Sequence, residues 1–195
     1  ETGFVKNALV IGAETLSKIL DWNDRGTCVL FGDGAGAAYL EESDKGIISV
    51  VQGSIGKKGM VLNCESRRTH NIFTEDGIEH DYLHMDGQEV YKFAVRQCPK
   101  CLLEALEKAD MTADDIDYFV LHQANVRIIE SVAKRLKAPI EKFPMTLGYT
   151  GNMSAASVPV MLDSLVRDGG LIRGDKVAMS AFGAGLTYGA IVLEW

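Results

Sequence analysis

Long hydrophobic runs are missing from this 195-residue sequence, although hydrophobic residues make up 47% of it. The longest apolar runs are much shorter than the roughly 18 to 20 residues that a membrane-spanning helix needs, so no such helix is predicted. The first residues, ETGFVKNALVIG, contain no basic segment followed by a cleavage site, which argues against a signal peptide. With 24% charged residues, the composition is typical of a globular protein rather than a disordered one.

Cysteine and positive charge are also scarce. The four cysteines do not form the dense framework of a small secreted domain, which predicts a reducing, cytoplasmic environment. The sequence has 20 basic and 27 acidic residues, and the resulting net charge of −7 argues against a nucleic-acid partner for the surface as a whole. A local basic patch remains compatible with this charge.

Apolar strands alternate with amphipathic helices along the chain. The predicted strands are residues 8–12, two around the glycine turn of TCVLFGDGAGAAYLEE, KGIISVVQGS, 118–121 and two in KVAMSAFGAGLTYGAIVLEW. Helices are predicted at 87–109, at 126–137 and from GNMSAAS to Gly169, with a short capped helix at Thr112–Asp115. The polar residues 53–84 predict a long loop or a loop with an inserted element. This order indicates a layered α/β architecture.

The predicted strand at residues 8–12 begins almost at the start of the sequence. A buried central strand normally has neighbours on both sides, and the few residues before it cannot supply them. We therefore expect the sequence to be part of a longer protein.

His122 directly follows the predicted strand 118–121, at the sheet edge where open α/β sheets bind ligands. A histidine there can donate to a carbonyl oxygen, and the alternative is a histidine satisfied by local backbone groups. In YTGNMSAAS, small residues surround Asn152, so a ligand or backbone segment can approach closely. The Asn152 amide offers two N–H donors, and the alternative is a helix N-cap.

Other motifs carry weaker signals. AFGAGLTYGA can present backbone N–H groups to a developing oxyanion, and the alternative is a simple tight hairpin. FGDGAGAA has the glycines of a phosphate-binding loop, but no helix follows it, so it does not match the dinucleotide-binding fingerprint. Cys98 and Cys101 lie within a helical pattern without further ligands, which favours core cysteines over a metal site. His70, His80 and His84 are scattered in the polar segment. His80 and His84 could lie on one helix face, but no third metal ligand is evident, so we expect solvated side chains.

A basic patch is predicted on the helix that follows His122. Arg127 and Lys134 are seven residues apart and share a helix face, with Arg135 and Lys137 close by. In an acidic protein, such a patch predicts a docking surface for an acidic partner, and the alternative is a solvated helix face.

LHQANVRI, GNMSAASVP and AFGAGLTYG, in this order, resemble the β-ketoacyl-acyl-carrier-protein synthase III family, whose members have the thiolase fold. WNDRGTCVLFGDGAGAAYLE and MDGQEVYKFAV extend the similarity through nearly the whole chain. Related condensing enzymes share the asparagine and glycine segments, but plant-type polyketide synthases usually lack Gln-Ala-Asn after the histidine. This tripeptide therefore favours the synthase III family over them. The resemblance implies an α/β, thiolase-like fold with helices packed on a mixed sheet. Residues 1–44 would be the tail of the first half of the fold, and residues 45–195 a complete second half.

The family uses a Cys-His-Asn set, and the resemblance makes His122 and Asn152 its histidine and asparagine. A malonyl thioester loses carbon dioxide, and the two side chains would donate to the oxygen of the resulting enolate. The carbanion then attacks an acyl group held on the cysteine. Ala184 matches the family's backbone N–H donor for the acyl thioester oxygen, at a position where the family often has glycine.

The resemblance also implies binding positions. Arg25 matches the arginine near the coenzyme A adenine, and Tyr91 matches an aromatic position near the acyl pocket. The positions that match the pantetheine channel are Gly87, Ala124, Asn125 and Ile128. The positions that match the basic surface for acyl carrier protein are Lys92, Arg127, Lys134 and Arg135.

The family's nucleophilic cysteine precedes the matched segment, and none of Cys28, Cys64, Cys98 and Cys101 occupies its position. We therefore expect part of a fatty-acid-initiating condensing enzyme, with acyl-CoA and malonyl-acyl carrier protein as substrates, that does not condense by itself. The alternatives are a non-catalytic module that binds carrier protein or coenzyme A, and a related type III polyketide-like condensing enzyme. The resemblance implies no cofactor and no metal, no membrane or nucleic-acid partner, and a homodimer for the full-length family.

Overall fold

The computed structural model describes residues 5–64 and 82–195. Its strands are β1 (Asn7–Glu14), β2 (Gly34–Glu41), β3 (Ile47–Ser54), β4 (Leu62–Asn63), β5 (His84–Met85), β6 (Tyr118–Leu121), β7 (Lys176–Gly183) and β8 (Thr187–Glu194). Its α-helices are α1 (Gly87–Lys108), α2 (Val126–Leu136), α3 (Leu147–Thr150) and α4 (Ser157–Arg167). Short 3₁₀ helices connect several of these elements.

Four strands form a mixed central sheet in the order β3-β8-β7-β6. Strand β8 runs antiparallel to both of its neighbours, and β6 runs parallel to β7. Successive residues of β6 point to opposite faces, so Phe119 packs with α1 and α2 while Val120 packs with α4. Both residues are fully buried, which explains why β6 has a continuous apolar sequence.

Strands β1 and β2 form a separate antiparallel ribbon, with Asn7 opposite Glu41 and Glu14 opposite Gly34. Glycines allow this ribbon to lie directly on the residues at the start of α4. A Cβ atom on Gly12 would lie 2.5 Å from the Ala155 carbonyl oxygen, and one on Gly36 would lie 3.0 Å from the Pro159 ring. The ribbon therefore contacts the segment around Asn152.

Two local predictions differ from the structure. The TCVLF segment is not a strand, because Asp24 folds it into turns. The Asp24 carboxylate accepts hydrogen bonds from the Gly26 N–H at 2.8 Å and the Thr27 hydroxyl at 2.7 Å, and the Cys28 N–H donates to the Asp24 carbonyl. The predicted loop at 53–84 contains a 3₁₀ helix at Gly56–Val61 and the short antiparallel pair β4–β5.

The other predicted elements are confirmed to within a few residues, and the Thr112–Asp115 cap is confirmed by two hydrogen bonds to the Asp115 carboxylate. His84 lies in β5 rather than on a helix, whereas His70 and His80 lie outside the described residues. The boundary between residues 44 and 45 stays a prediction. Within 5–64 and 82–195, no helix has both the length and the apolar character needed to cross a bilayer.

Candidate active site

The end of β6 holds His122 in a buried position. The His122 N–H donates to the Ser180 carbonyl at 2.8 Å, which continues the β6–β7 pairing by one residue. Its ring meets the Phe182 ring edge-on, with centroids 5.3 Å apart, and only 8% of the residue is exposed. Burial lowers the pKa of His122 from its ordinary value of 6.5 to about 4, so the imidazole is neutral at pH 7.

The side chain of Gln123, the residue after His122, also holds the end of β6 in place. This side chain is fully buried, and its amide nitrogen donates to the Leu121 carbonyl at 2.8 Å and to the Pro144 carbonyl at 3.4 Å. Its amide oxygen accepts from the Thr146 N–H at 3.0 Å. Gln123 thus ties the histidine strand to the segment that leads, through α3, to Asn152.

The backbone of Asn152 is held by the segment between the turns and β2. Its N–H donates to the Leu30 carbonyl at 2.9 Å, and its carbonyl accepts from the Gly32 N–H at 2.9 Å. A Cβ atom on Gly32 would lie 2.2 Å from the Thr150 carbonyl oxygen, so this close approach requires glycine.

The side-chain amide of Asn152 forms a local turn and is not a helix N-cap, because the N-cap of the following 3₁₀ helix is Met153. Its oxygen accepts from the Ser154 N–H, two residues along the chain, at 2.9 Å. No described residue accepts a hydrogen bond from its Nδ2, so both N–H donors remain for a ligand. The bond to Ser154 therefore orients the amide and does not exclude binding.

A cavity of about 270 Å³ brings most of the sequence-predicted site residues together. Those that line it are His122, Asn152, Ala184, Gly87, Tyr91, Ala124, Asn125 and Ile128. The cavity can therefore offer neutral hydrogen-bond donors to a carbonyl oxygen within largely apolar walls. The roles of these residues stay predictions.

Sequence reasoning missed most of the apolar wall. Leu62, Leu83 and Met85 line the cavity beside the short β4–β5 pair, and Phe182 lies against the histidine. Two-residue strands produce no periodic signal, so the sequence could not have located this wall. Phe182 was visible only as part of a glycine-rich turn.

Five of the predicted positions lie outside the cavity lining and are exposed: Arg25, Lys92, Arg127, Lys134 and Arg135. Lys92 pairs with Glu89 at 2.9 Å. Glu89 also pairs with Lys58 at 2.8 Å, and hydrogen bonds from both lysines lower the pKa of Glu89 to about 2. Among the described residues, no carboxylate pairs with Arg127, Lys134 or Arg135.

The two cysteines of the C-x-x-C motif face the core, as expected. Cys98 and Cys101 are buried, and burial raises the pKa of their thiols to about 12 and about 11. A thiol with such a pKa is a poor nucleophile at neutral pH. In the part of the chain that the structure describes, no three histidine, cysteine, aspartate or glutamate residues are arranged to hold a metal ion.

Known proteins resemble this chain along its whole length. A family model described as 3-oxoacyl-[acyl-carrier-protein (ACP)] synthase III matches residues 1–59, and one described as 3-oxoacyl-[acyl-carrier-protein (ACP)] synthase III C terminal matches residues 106–195. The β-ketoacyl-[acyl-carrier-protein] synthase III of Clostridium novyi (strain NT) is 49% identical over 100% of this chain. This chain spans 61% of that relative's length.

Solved structures agree with this similarity. The β-ketoacyl-[acyl carrier protein] synthase III from Thermus thermophilus is 44% identical with a TM-score of 0.89, over 99% of this chain and 60% of that chain. The priming β-ketosynthase of the R1128 polyketide biosynthetic pathway is 39% identical with a TM-score of 0.89, over 100% of this chain and 58% of that chain. The chain therefore spans about three-fifths of the length of these proteins.

Proposed function

This chain belongs to the β-ketoacyl-[acyl-carrier-protein] synthase III family, and we propose that it carries the enolate-stabilising donor pair of a decarboxylative condensing enzyme. The observation that carries this proposal is that His122 and Asn152 line one cavity. Each keeps a nitrogen available for a ligand, Nε2 of His122 and Nδ2 of Asn152, because their other polar atoms are engaged by Ser157 and Ser154.

In the proposed reaction, the bond between the carboxylate and the α-carbon of a malonyl thioester breaks and releases carbon dioxide. The electron pair moves into the thioester carbonyl, whose oxygen becomes the negative end of an enolate. N–H groups of His122 and Asn152 donate to that oxygen. Such bonds are stronger in an apolar cavity than in water, so they lower the barrier to decarboxylation.

Condensation needs an acyl thioester on a cysteine, which the enolate carbon attacks. In this step the Ala184 N–H would donate to the acyl carbonyl oxygen, and the cysteine thiolate would leave. None of the four cysteines in these residues matches the family's nucleophile. We therefore propose the full condensation of an acyl-CoA primer with malonyl-acyl carrier protein for the whole protein. The thioesters are substrates, so the reaction needs no cofactor.

Carbon dioxide release from malonyl-acyl carrier protein tests the donor pair without a nucleophile. We expect Asn152→Ala to lower the rate about a hundredfold, because it removes a donor that acts in the transition state. Asn23→Ala is the matched control, since Asn23 lies on an exposed turn and, within residues 5–64 and 82–195, its hydrogen bonds go to Asp21 alone. Equal rates for wild type, Asn152→Ala and Asn23→Ala would contradict the proposal.

A second function, the docking of an acidic carrier protein, is favoured by the exposed cations of α2. Arg127, Lys134 and Arg135 lack carboxylate partners among the described residues, whereas the charge of Lys92 is engaged by Glu89. Carrier-protein affinity should fall as salt rises, since screening weakens attraction between exposed charges. Arg127→Glu should weaken binding further, and Arg173→Glu, which changes an arginine stacked on Trp195, should not. Affinity that is insensitive to salt and to Arg127→Glu would exclude this surface.

A further inference from the structure

The first residue of α4, Ser157, carries a fully buried hydroxyl group that contacts the candidate histidine. Its Oγ lies 2.7 Å from Nδ1 of His122, 2.9 Å from the Ser154 carbonyl oxygen and 3.3 Å from the Gln123 nitrogen. The Gln123 N–H can only donate, so Oγ accepts that bond. The single hydroxyl proton must then go either to Nδ1 of His122 or to the Ser154 carbonyl.

Two observations favour the His122 bond for this proton. The Ser154 carbonyl also accepts the backbone N–H of Ser157, so it keeps a hydrogen bond when the hydroxyl turns to His122, whereas no described residue other than Ser157 forms a hydrogen bond with Nδ1 of His122. The separation of 2.7 Å is also typical of a hydroxyl donor, whose bonds are shorter than those of an N–H donor. The contact to Ser154 is longer, at 2.9 Å.

We propose that Ser157 is a positioning residue, whose hydroxyl donates to Nδ1 of His122 and holds the neutral imidazole as the tautomer with its proton on Nε2. Because Nδ1 is occupied as an acceptor, the N–H group of the ring is the one available to the cavity. Without this bond, the proton could move to Nδ1, and Nε2 would present a lone pair to the enolate oxygen and repel it. The donation of this N–H to an enolate oxygen rests on the proposed function, whereas the assignment of the tautomer does not.

The tautomer can be measured directly by two-bond ¹H–¹⁵N correlation spectra of the chain labelled at histidine nitrogens. The chain has four histidines, and the signal lost in His122→Gln identifies His122. At neutral pH, we expect the wild type to show the Nε2–H pattern. A wild-type spectrum with the proton on Nδ1 would overturn the proposal, and this result needs no Ser157 variant to fold.

Ser157→Ala should convert the His122 signal to a mixture of tautomers, and Ser157→Cys, which keeps a weak S–H donor, should restore part of the Nε2–H population. Ser164→Ala is the matched control, because Ser164 lies on the same helix and its hydroxyl forms a hydrogen bond with Asp168 alone among the described residues. An unchanged Nε2–H pattern in folded Ser157→Ala would show that the hydroxyl does not set the tautomer.

The decarboxylation assay separates this proposal from the proposed function. We expect Ser157→Ala to lower kcat about tenfold with little change in KM, with Ser157→Cys between it and the wild type. If the wild type does not decarboxylate but His122 changes tautomer in Ser157→Ala, the proposed function fails and the role of Ser157 stands. If the wild type decarboxylates and the tautomer does not respond, the role of Ser157 fails alone.

Discussion

Among single residues, His122 couples the candidate site to the stability of the fold. Burial lowers its pKa from 6.5 to about 4, so between these values the unfolded chain binds a proton that the folded chain does not. The free energy of unfolding must therefore fall as pH falls through this window. The contribution is complete above pH 6.5 and is lost towards pH 4.

Urea unfolding of wild type and His122→Gln at about pH 7.5 and about pH 5 measures this effect. Between the two conditions, the wild type should lose about 2 kcal/mol more than the variant, which has no imidazole to protonate. The paired carboxylates Glu89 and Glu194 also have low pKa values, but they are present in both proteins and cancel in the comparison. Parallel pH dependence for the two proteins would contradict the assigned burial effect.

A second prediction concerns Gly32, whose N–H holds the Asn152 carbonyl. Gly32→Ala places a methyl group against the Thr150 carbonyl, so we expect a loss of roughly 2 kcal/mol of stability and slower decarboxylation. Gly56→Ala is the matched control, because a Cβ atom there meets nothing within 4 Å. Denaturant unfolding and the decarboxylation rate are the measurements. Equal effects of both substitutions would mean that the contact with Thr150 is not required.

Sequence reasoning found His122 and Asn152 because each follows a recognisable local pattern, a buried strand end and a run of small residues. It did not assign roles to Gln123 or Ser157. The bonds of Gln123 cross to Pro144 and Thr146, and Ser157 meets a histidine 35 positions away. Contacts between residues so distant in sequence depend on the packing of the sheet against α4, which periodicity does not specify.

At the scale of elements, helix α2 begins with a residue that has two candidate roles. Oδ1 of Asn125 accepts a hydrogen bond from the Arg127 N–H at 2.9 Å and so caps the helix. Asn125 also lines the cavity. Asn125→Ala should lose about 1 kcal/mol of stability, while Asn125→Asp should keep the cap, since a carboxylate accepts the same bond. If the amide N–H groups bind the pantetheine arm, both variants should raise KM for malonyl thioesters. Normal KM for Asn125→Asp would leave Asn125 with the capping role alone.

Elements with a clear hydrophobic periodicity were predictable from the sequence. Turns held by side-chain hydrogen bonds and strands of only two residues were not. Helix α1 buries the apolar residues that the sequence places at helical spacing, including Phe93 and Leu102. The TCVLF segment has strand-like composition, but the hydrogen bonds of Asp24 fold it into turns. Strands β4 and β5 are too short for any pattern, although they build one wall of the cavity.

At the scale of the whole molecule, the ribbon exposes an unusual apolar surface. The exposed fractions of Leu9, Val10, Ile11 and Tyr39 are 61%, 55%, 60% and 61%. Among the described strands, β1 and β2 pair only with each other. An exposed apolar surface on such strands favours association with another copy of this chain. We therefore expect the 195-residue chain to associate as its concentration rises. The homodimer expected for the full-length family is a separate prediction.

Sedimentation velocity over a range of concentrations tests this association. Ile11→Lys should weaken it, because the charge lies within the apolar surface of the ribbon. Ile172→Lys is a matched control, since Ile172 is 61% exposed but lies in a turn far along the sequence. A wild-type chain that stays monomeric at high concentration would rule out this role for the surface.

The position of Asn152 has a consequence for incompletely folded molecules. Its backbone is held by Leu30 and Gly32, whereas His122 is held by the central sheet through Ser180. A molecule in which residues 30–32 have detached would keep the sheet bond of its histidine and lose these two backbone bonds of the asparagine. The relative placement of the two side chains thus depends on two separate sets of backbone hydrogen bonds, so any activity that needs both side chains would report whether both sets have formed.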